Sequence, residues 1–80
     1  MKALDLDELR QIVELAMDKD IPPLESGIDL YEGLGMDSIG AVAMIVELQR
    51  RYRVRIREED VPLLRTPNAL LVYVNSQTAH

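Results

Sequence analysis

Between two strongly helical stretches lie sixteen residues, Ile21 to Met36, that no regular element can absorb. Ile21-Pro22-Pro23 stops any helix arriving from the N-terminal side, because a residue before proline is pushed out of the helical region and proline donates no hydrogen bond. A connection this long in a small domain is either functional or disordered. The apolar residues Leu24, Ile28, Leu30, Leu34 and Met36 argue against disorder, since they can pin the segment to the helices. Asp29-Leu30-Tyr31-Glu32 reads as a single capped helical turn, and Gly33 and Gly35 permit the positive backbone angles of a sharp entry. The segment delivers the chain to Asp37-Ser38 at the start of the next helix. Asp37 is the expected N-cap, and Ser38 then occupies the first or second helical position, its hydroxyl in water beside the positive end of the helix dipole. An Asp-Ser pair alone is the ordinary chemistry of a helix start, so its meaning depends on the rest of the chain.

That rest reads as helical. The first helix is expected from Leu6 to Lys19, with Asp5 as N-cap and Glu8 as the reciprocal member of a capping box. Leu6, Leu9, Ile12, Val13 and Ala16 recur at helical spacing and form its buried stripe. The second helix is expected from Ser38 to Arg53, with a broad apolar surface of Ile39, Ala41, Val42, Ile45, Val46, Leu48 and Tyr52. Tyr52 to Arg57 alternates strictly, but no other segment offers a strand to pair with it, so the alternation predicts an extended link with Val54 and Ile56 inward and the arginines outward. Glu58 to Leu64 holds one short helical turn. Thr66-Pro67 opens the last helix, threonine as N-cap and proline at the first helical position, running to Asn75 with Leu70, Leu71 and Val74 as its packing stripe. The tail from Ser76 to His80 is expected to fray. The fold class is all-α: a small helical bundle of three main helices and one short one, with a long first loop, forming a single domain over residues 1–80.

Size and composition narrow the chemistry. Eighty residues leave little room for a deep enzyme cleft, and with no cysteine there is neither a disulfide framework nor a thiolate metal site. No apolar run reaches the roughly 18 residues of a membrane span, so a cytoplasmic protein is expected. The glycines around Ser38 miss the G-x-S-x-G elbow, and His80 is the only histidine, so Ser38 has no general base and no catalytic residue is assigned. No metal site is expected either. The net charge of −5 is unevenly spread. Three basic side chains against eleven acidic ones leave residues 1–49 at −8, while six arginines against Glu58, Glu59 and Asp60 leave residues 50–65 at +3.

Leu34-Gly35-Met36-Asp37-Ser38-Ile39 resembles the signature of acyl carrier proteins, in which the serine of an Asp-Ser-[Leu/Ile/Met] triplet carries 4′-phosphopantetheine. The likeness extends over the first helix, the long loop, the Leu48 to Tyr52 segment, the Val54-x-Ile56 link and the Thr66 cap. It implies an acyl-carrier-like bundle that is a non-catalytic carrier. Ser38 would be the attachment site for 4′-phosphopantetheine drawn from coenzyme A, Asp37 its acidic neighbour, and Ile39 and Val42 the apolar contacts beside the arm. The implied partners are a phosphopantetheinyl transferase, an acyl-loading ligase or acyltransferase, and a downstream synthase or transferase, with the carrier itself a monomer. Cargo would travel as a thioester on the arm's thiol.

Within this superfamily, Asp37 in place of a Gly-Gly-x-Ser pattern favours an acyl carrier over a peptidyl one, and the size suits a free-standing protein over a domain cut from a larger synthase. Asp37-Ser38-Ile39-Gly40, with Glu47-Leu48-Gln49 and Thr66-Pro67-Asn68, is also similar to D-alanyl carrier proteins, which keeps an aminoacyl cargo as the alternative. The carriers of fatty acid biosynthesis present an acidic second helix, whereas the corresponding positions here hold Ala43, Gln49, Arg50 and Arg51. The resemblance with this departure points to polyketide or other specialised biosynthesis, with Asp37, Ile39, Val42, Ala43, Arg50 and Arg51 as candidate partner-recognition residues. A helical interaction module using Arg50 to Arg57 is the alternative from a different class. Nucleic acid is disfavoured as its ligand, because the acidic half repels phosphates and no aromatic platform accompanies the arginines.

Overall fold

The computed structural model describes residues 2–78, which form four α-helices and one 3-10 turn: α1 (Leu6–Met17), α2 (Leu30–Leu34), α3 (Ser38–Tyr52), the turn Glu58–Leu63 and α4 (Pro67–Thr78). No strand occurs among the described residues. The long helices α1, α3 and α4 meet in one core, to which α1 contributes Leu9, Ile12 and Val13, α3 contributes Ala41, Met44, Leu48 and Tyr52, and α4 contributes Leu70 and Val74. The expected all-α bundle is what forms.

Each long helix begins where a side chain can accept a free N–H. Asp5 accepts from the Glu8 N–H at 2.8 Å, Asp37 from Gly40, and Thr66 Oγ1 from Ala69 at 3.2 Å. The reciprocal half of the capping box at α1 does not form, because the Glu8 carboxylate turns to Arg51 on α3 instead (2.9 Å). Helix α1 stops at Met17, two residues before the expected end. Asp18 takes a left-handed conformation (φ 53°), and Glu14 Oε2 draws the chain back by accepting from the Ile21 N–H at 3.0 Å.

The face of α3 is the main departure from expectation. Its buried residues are Gly40, Ala41, Met44, Leu48 and Tyr52, whereas Ile39, Val42 and Val46 are 79%, 63% and 53% exposed. The apolar residues of this helix cover more arc than α1 and α4 can enclose, so one side is sealed and the other is left open. Gly40 is on the sealed side, where a Cβ would lie 3.8 Å from the Ala16 carbonyl oxygen of α1.

The first loop is pinned as expected. Ile21, Leu24, Leu30 and Met36 are buried, and the Leu30 and Asn68 N–H groups exchange bonds between the loop and the approach to α4, donating to Arg65 O (2.8 Å) and Ser26 O (2.9 Å). Arg65 adds a two-point bond to Asp29 and lies 4.7 Å over the Tyr31 ring, a cation–π contact. The link after α3 is extended, with Val54 and Ile56 buried and Arg53, Arg55 and Arg57 exposed.

Helix α4 continues through Ser76, Gln77 and Thr78, residues expected to fray; 79–80 lie outside the described residues. Two of its amide side chains do the anchoring. Asn75 pairs with both backbone groups of Leu4 (2.9 Å each), and Gln77 with both backbone groups of Arg55 (2.9 and 2.8 Å). Each amide supplies one donor and one acceptor, the complement an extended residue needs.

Candidate functional site

The approach to Ser38 is built by α2. Asp29 Oδ1 caps that helix by accepting from Tyr31 and Glu32, both at 2.9 Å, and Gly35 ends it in the left-handed region (φ 77°), where a Cβ would be strained. Met36 then folds inward and is 4% exposed. With Met36 anchored, Asp37 is extended (φ −101°, ψ −179°), and its Oδ1 accepts from the Gly40 N–H at 2.8 Å. Ser38 is the first residue of α3 and is exposed. Among the described residues, the Ser38 and Ile39 N–H groups form no bond within the protein. The hydroxyl therefore sits in water at the positive end of a 15-residue helix.

Beside Ser38 opens a cleft of about 790 Å³. Its walls are the open side of α3 (Ala41, Val42, Ile45, Val46), Ile56 of the extended link, Val61 and Pro62 of the 3-10 turn, and Tyr31 of α2. The lining is apolar apart from Asp37 and Ser38 at one end and Glu58. The incomplete covering of α3 is thus what makes the cleft.

The structure divides the residues singled out in the sequence. Ser38, Asp37 and Val42 share the cleft, whereas Ile39 lines a separate hollow with Ala16 and Met17 on the far side of Gly40. Ala43 is exposed on α3. Arg50 and Arg51 lie at the other end of the helix and both bond to Glu47, and Arg51 also bridges to Glu8. Bonds from Arg51 and then Arg50 hold the Glu47 carboxyl below its usual range. Tyr31, Ile45, Ile56 and Val61 were not picked out for the site. Ile45 gave a signal as part of the broad apolar surface of the helix, and Ile56 through the alternation that turns it inward.

Chemically the site can display a group but has little with which to transform one. The Asp37 carboxylate oxygen is engaged as a cap, no histidine lies among the described residues, and no cluster of three or more metal-ligating side chains occurs among them. A phosphate esterified to Ser38 fits well: the hydroxyl is accessible, the adjacent N–H groups are unbonded, the dipole favours an anion, and an apolar trough leads away from it.

Comparison with known proteins agrees with this chemistry. Residues 7–74 match the family model described as the phosphopantetheine attachment site. The chain is 33% identical over 79 residues to the anthracycline acyl carrier protein DauA of Streptomyces sp. (strain C5), covering 96% of this chain and 94% of the relative. It is 34% identical over 59 residues to polyketide-8 synthase acyl carrier protein 2 of Streptomyces avermitilis, covering 74% of this chain and 68% of that protein. The solution structure of a holo acyl carrier protein from Geobacter metallireducens superposes with a TM-score of 0.79 at 23% identity, covering 92% of this chain and 85% of that one, a likeness of fold. That of butyryl acyl carrier protein from the actinorhodin polyketide synthase of Streptomyces coelicolor superposes with a TM-score of 0.75 at 27% identity, covering 98% and 94%. With the family model spanning most of the chain and the anthracycline carrier matching nearly end to end, the protein belongs to the phosphopantetheine-attachment family and is an acyl carrier protein.

Proposed function

We propose that Ser38 is the residue to which 4′-phosphopantetheine is attached, and that the carrier serves polyketide biosynthesis. The observation that carries the assignment is the exposed Ser38 hydroxyl at the capped N-terminus of α3, at the mouth of the apolar cleft. The names of the relatives, anthracycline and polyketide synthase carriers, support the pathway. The prosthetic group supplies a flexible arm ending in a thiol, on which acyl cargo is held as a thioester. The chain's own residues supply placement: Asp37 fixes the helix start, and Val42, Ile45 and Val46 offer an apolar surface that shelters part of the cargo from water. The protein is modified by a phosphopantetheinyl transferase, loaded by a ligase or acyltransferase, and read by a synthase, in the cytoplasm and as a monomer. Asp37, Ile39, Val42 and Ala43 form the surface nearest the arm for these partners, with Arg50, 70% exposed, contributing more than the half-covered Arg51.

Incubation with coenzyme A and a broad-specificity transferase tests the assignment by intact mass. The wild-type chain gains one arm and Ser38→Ala gains none, with unchanged circular dichroism. Equal modification of Ser38→Ala would move the site elsewhere.

A further inference from the structure

The six arginines between residues 50 and 65 have different employments. Arg50 and Arg51 pair with Glu47 and Glu8, Arg57 with Glu59 and Asp60, and Arg65 with Asp29. Arg53 and Arg55 are exposed and form no ion pair among the described residues. Two exposed arginines would ordinarily be no more than a solvated face, but three features set this pair apart.

The backbone beneath the pair is fixed. Gln77 bonds both backbone groups of Arg55, and Gln49 Oε1 accepts from the Ile56 N–H at 2.9 Å. The orientation is fixed too. Val54 and Ile56 are 8% and 7% exposed, so Arg55, between two inward-facing residues of the extended link, turns outward, and Arg53, at the start of the link, is exposed as well. Finally, Arg53 occupies the left-handed position (φ 54°) that ends α3, where glycine or asparagine fits with less strain. The chain keeps a cation at that position.

We propose that Arg53 and Arg55 form a docking surface for a carboxylate-rich patch on a partner protein. Charge complementarity selects the partner: a positive pair without an internal counter-ion among the described residues, on a molecule whose residues 1–49 carry −8. A single-stranded polynucleotide fits less well, because no aromatic side chain lies among residues 53–59 to stack on bases. The position suits a carrier. Helix α3 separates this surface from Ser38 by about 20 Å, so an enzyme can hold the link while the arm remains free to enter an active site. The proposal does not depend on the cargo or on the attachment residue.

The test is an NMR titration of the full-length chain at low salt with a short synthetic peptide of alternating glutamate and alanine, and in parallel with a short DNA duplex. The peptide is expected to shift the amides of residues 53–59 and the Arg53 and Arg55 side-chain N–H signals, leaving Ser38 unmoved. Arg53→Gln with Arg55→Gln is expected to weaken binding about tenfold, while Arg53→Lys with Arg55→Lys retains most of it and Arg50→Gln with Arg51→Gln changes it about twofold or less. The glutamine variant still accepts phosphopantetheine in the transferase assay, which separates this surface from the attachment site. Absence of binding, shifts centred elsewhere, or equal binding by the glutamine variant would overturn the proposal. DNA binding as tight as that of the peptide would make the surface one for nucleic acid instead.

Discussion

Helix α3 presents two apolar faces that have opposite fates. Ala41, Met44, Leu48 and Tyr52 are sealed against α1 and α4, while Val42, Ile45 and Val46 wall an open cleft that begins at Ser38. Both faces are apolar and lie on the same fifteen residues. What differs is the neighbour: two long helices on one side, and on the other a 3-10 turn with no buried residue of its own. A sealed face and an open one are thereby divided around a single helix axis.

Substitutions can break or sharpen that division. The largest effect is expected on the sealed face, where Leu48 has no exposed surface and Leu48→Ala should cost about 2–4 kcal/mol in chemical unfolding, much of the stability of a small domain. A cost below about 1 kcal/mol would mean that this face is no more essential than the open one. Next comes the helix start that both faces share. Asp37→Ala loses the bond to Gly40 and should cost about 1 kcal/mol, whereas Asp37→Asn, which keeps a capping oxygen, should cost less. Equal losses would assign the effect to charge rather than to the cap.

Ion pairs outside the core should give a smaller, pH-dependent contribution. Asp29 is held below the usual carboxylate range chiefly by its bond from Arg65, Glu47 by Arg51, and Asp60 by the Tyr73 hydroxyl and Arg57. A lowered folded-state pKa means the unfolded chain takes up protons first, so this stability is complete above the ordinary values of 4.5 for Glu47 and 3.8 for Asp29 and Asp60. It is lost as the pH falls further, through the lowered folded-state values. The thermal midpoint should therefore decline below about pH 5, and Asp29→Asn should flatten part of the decline. An unchanged profile would remove the Asp29–Arg65 pair from the account. The smallest effect belongs to the open face: Val46→Ala should alter stability by no more than about 0.5 kcal/mol.

The helix starts were legible because capping is local. Asp5, Asp37 and Thr66 announce themselves within four residues, and the alternation after Tyr52 correctly turns Val54 and Ile56 inward. The facing of α3 was not legible, because apolar spacing marks which residues are able to be buried but not how many neighbours arrive to bury them. Met44, 1% exposed, was passed over for Val42 and Val46 on this account. The end of α1 escaped for another reason: it closes on a left-handed residue, Asp18, where no glycine signals a stop. The site followed the same division. The helix start at Ser38 is written in adjacent residues, whereas the cleft is assembled from α2, the link and the 3-10 turn, and only the folded chain brings those together.

The amide pairs made by α4 bear on how the molecule comes into being. Asn75 joins a residue 71 positions earlier in the chain, and Gln77 one that is 22 positions earlier. A nascent polypeptide emerging from the ribosome can form α1 and α3 early, since helices grow from near neighbours, but it cannot close these junctions until residues 75–77 have left the exit tunnel. Vectorial synthesis thus leaves Leu4 and Arg55 waiting for α4, and the two junctions close only after that helix has emerged.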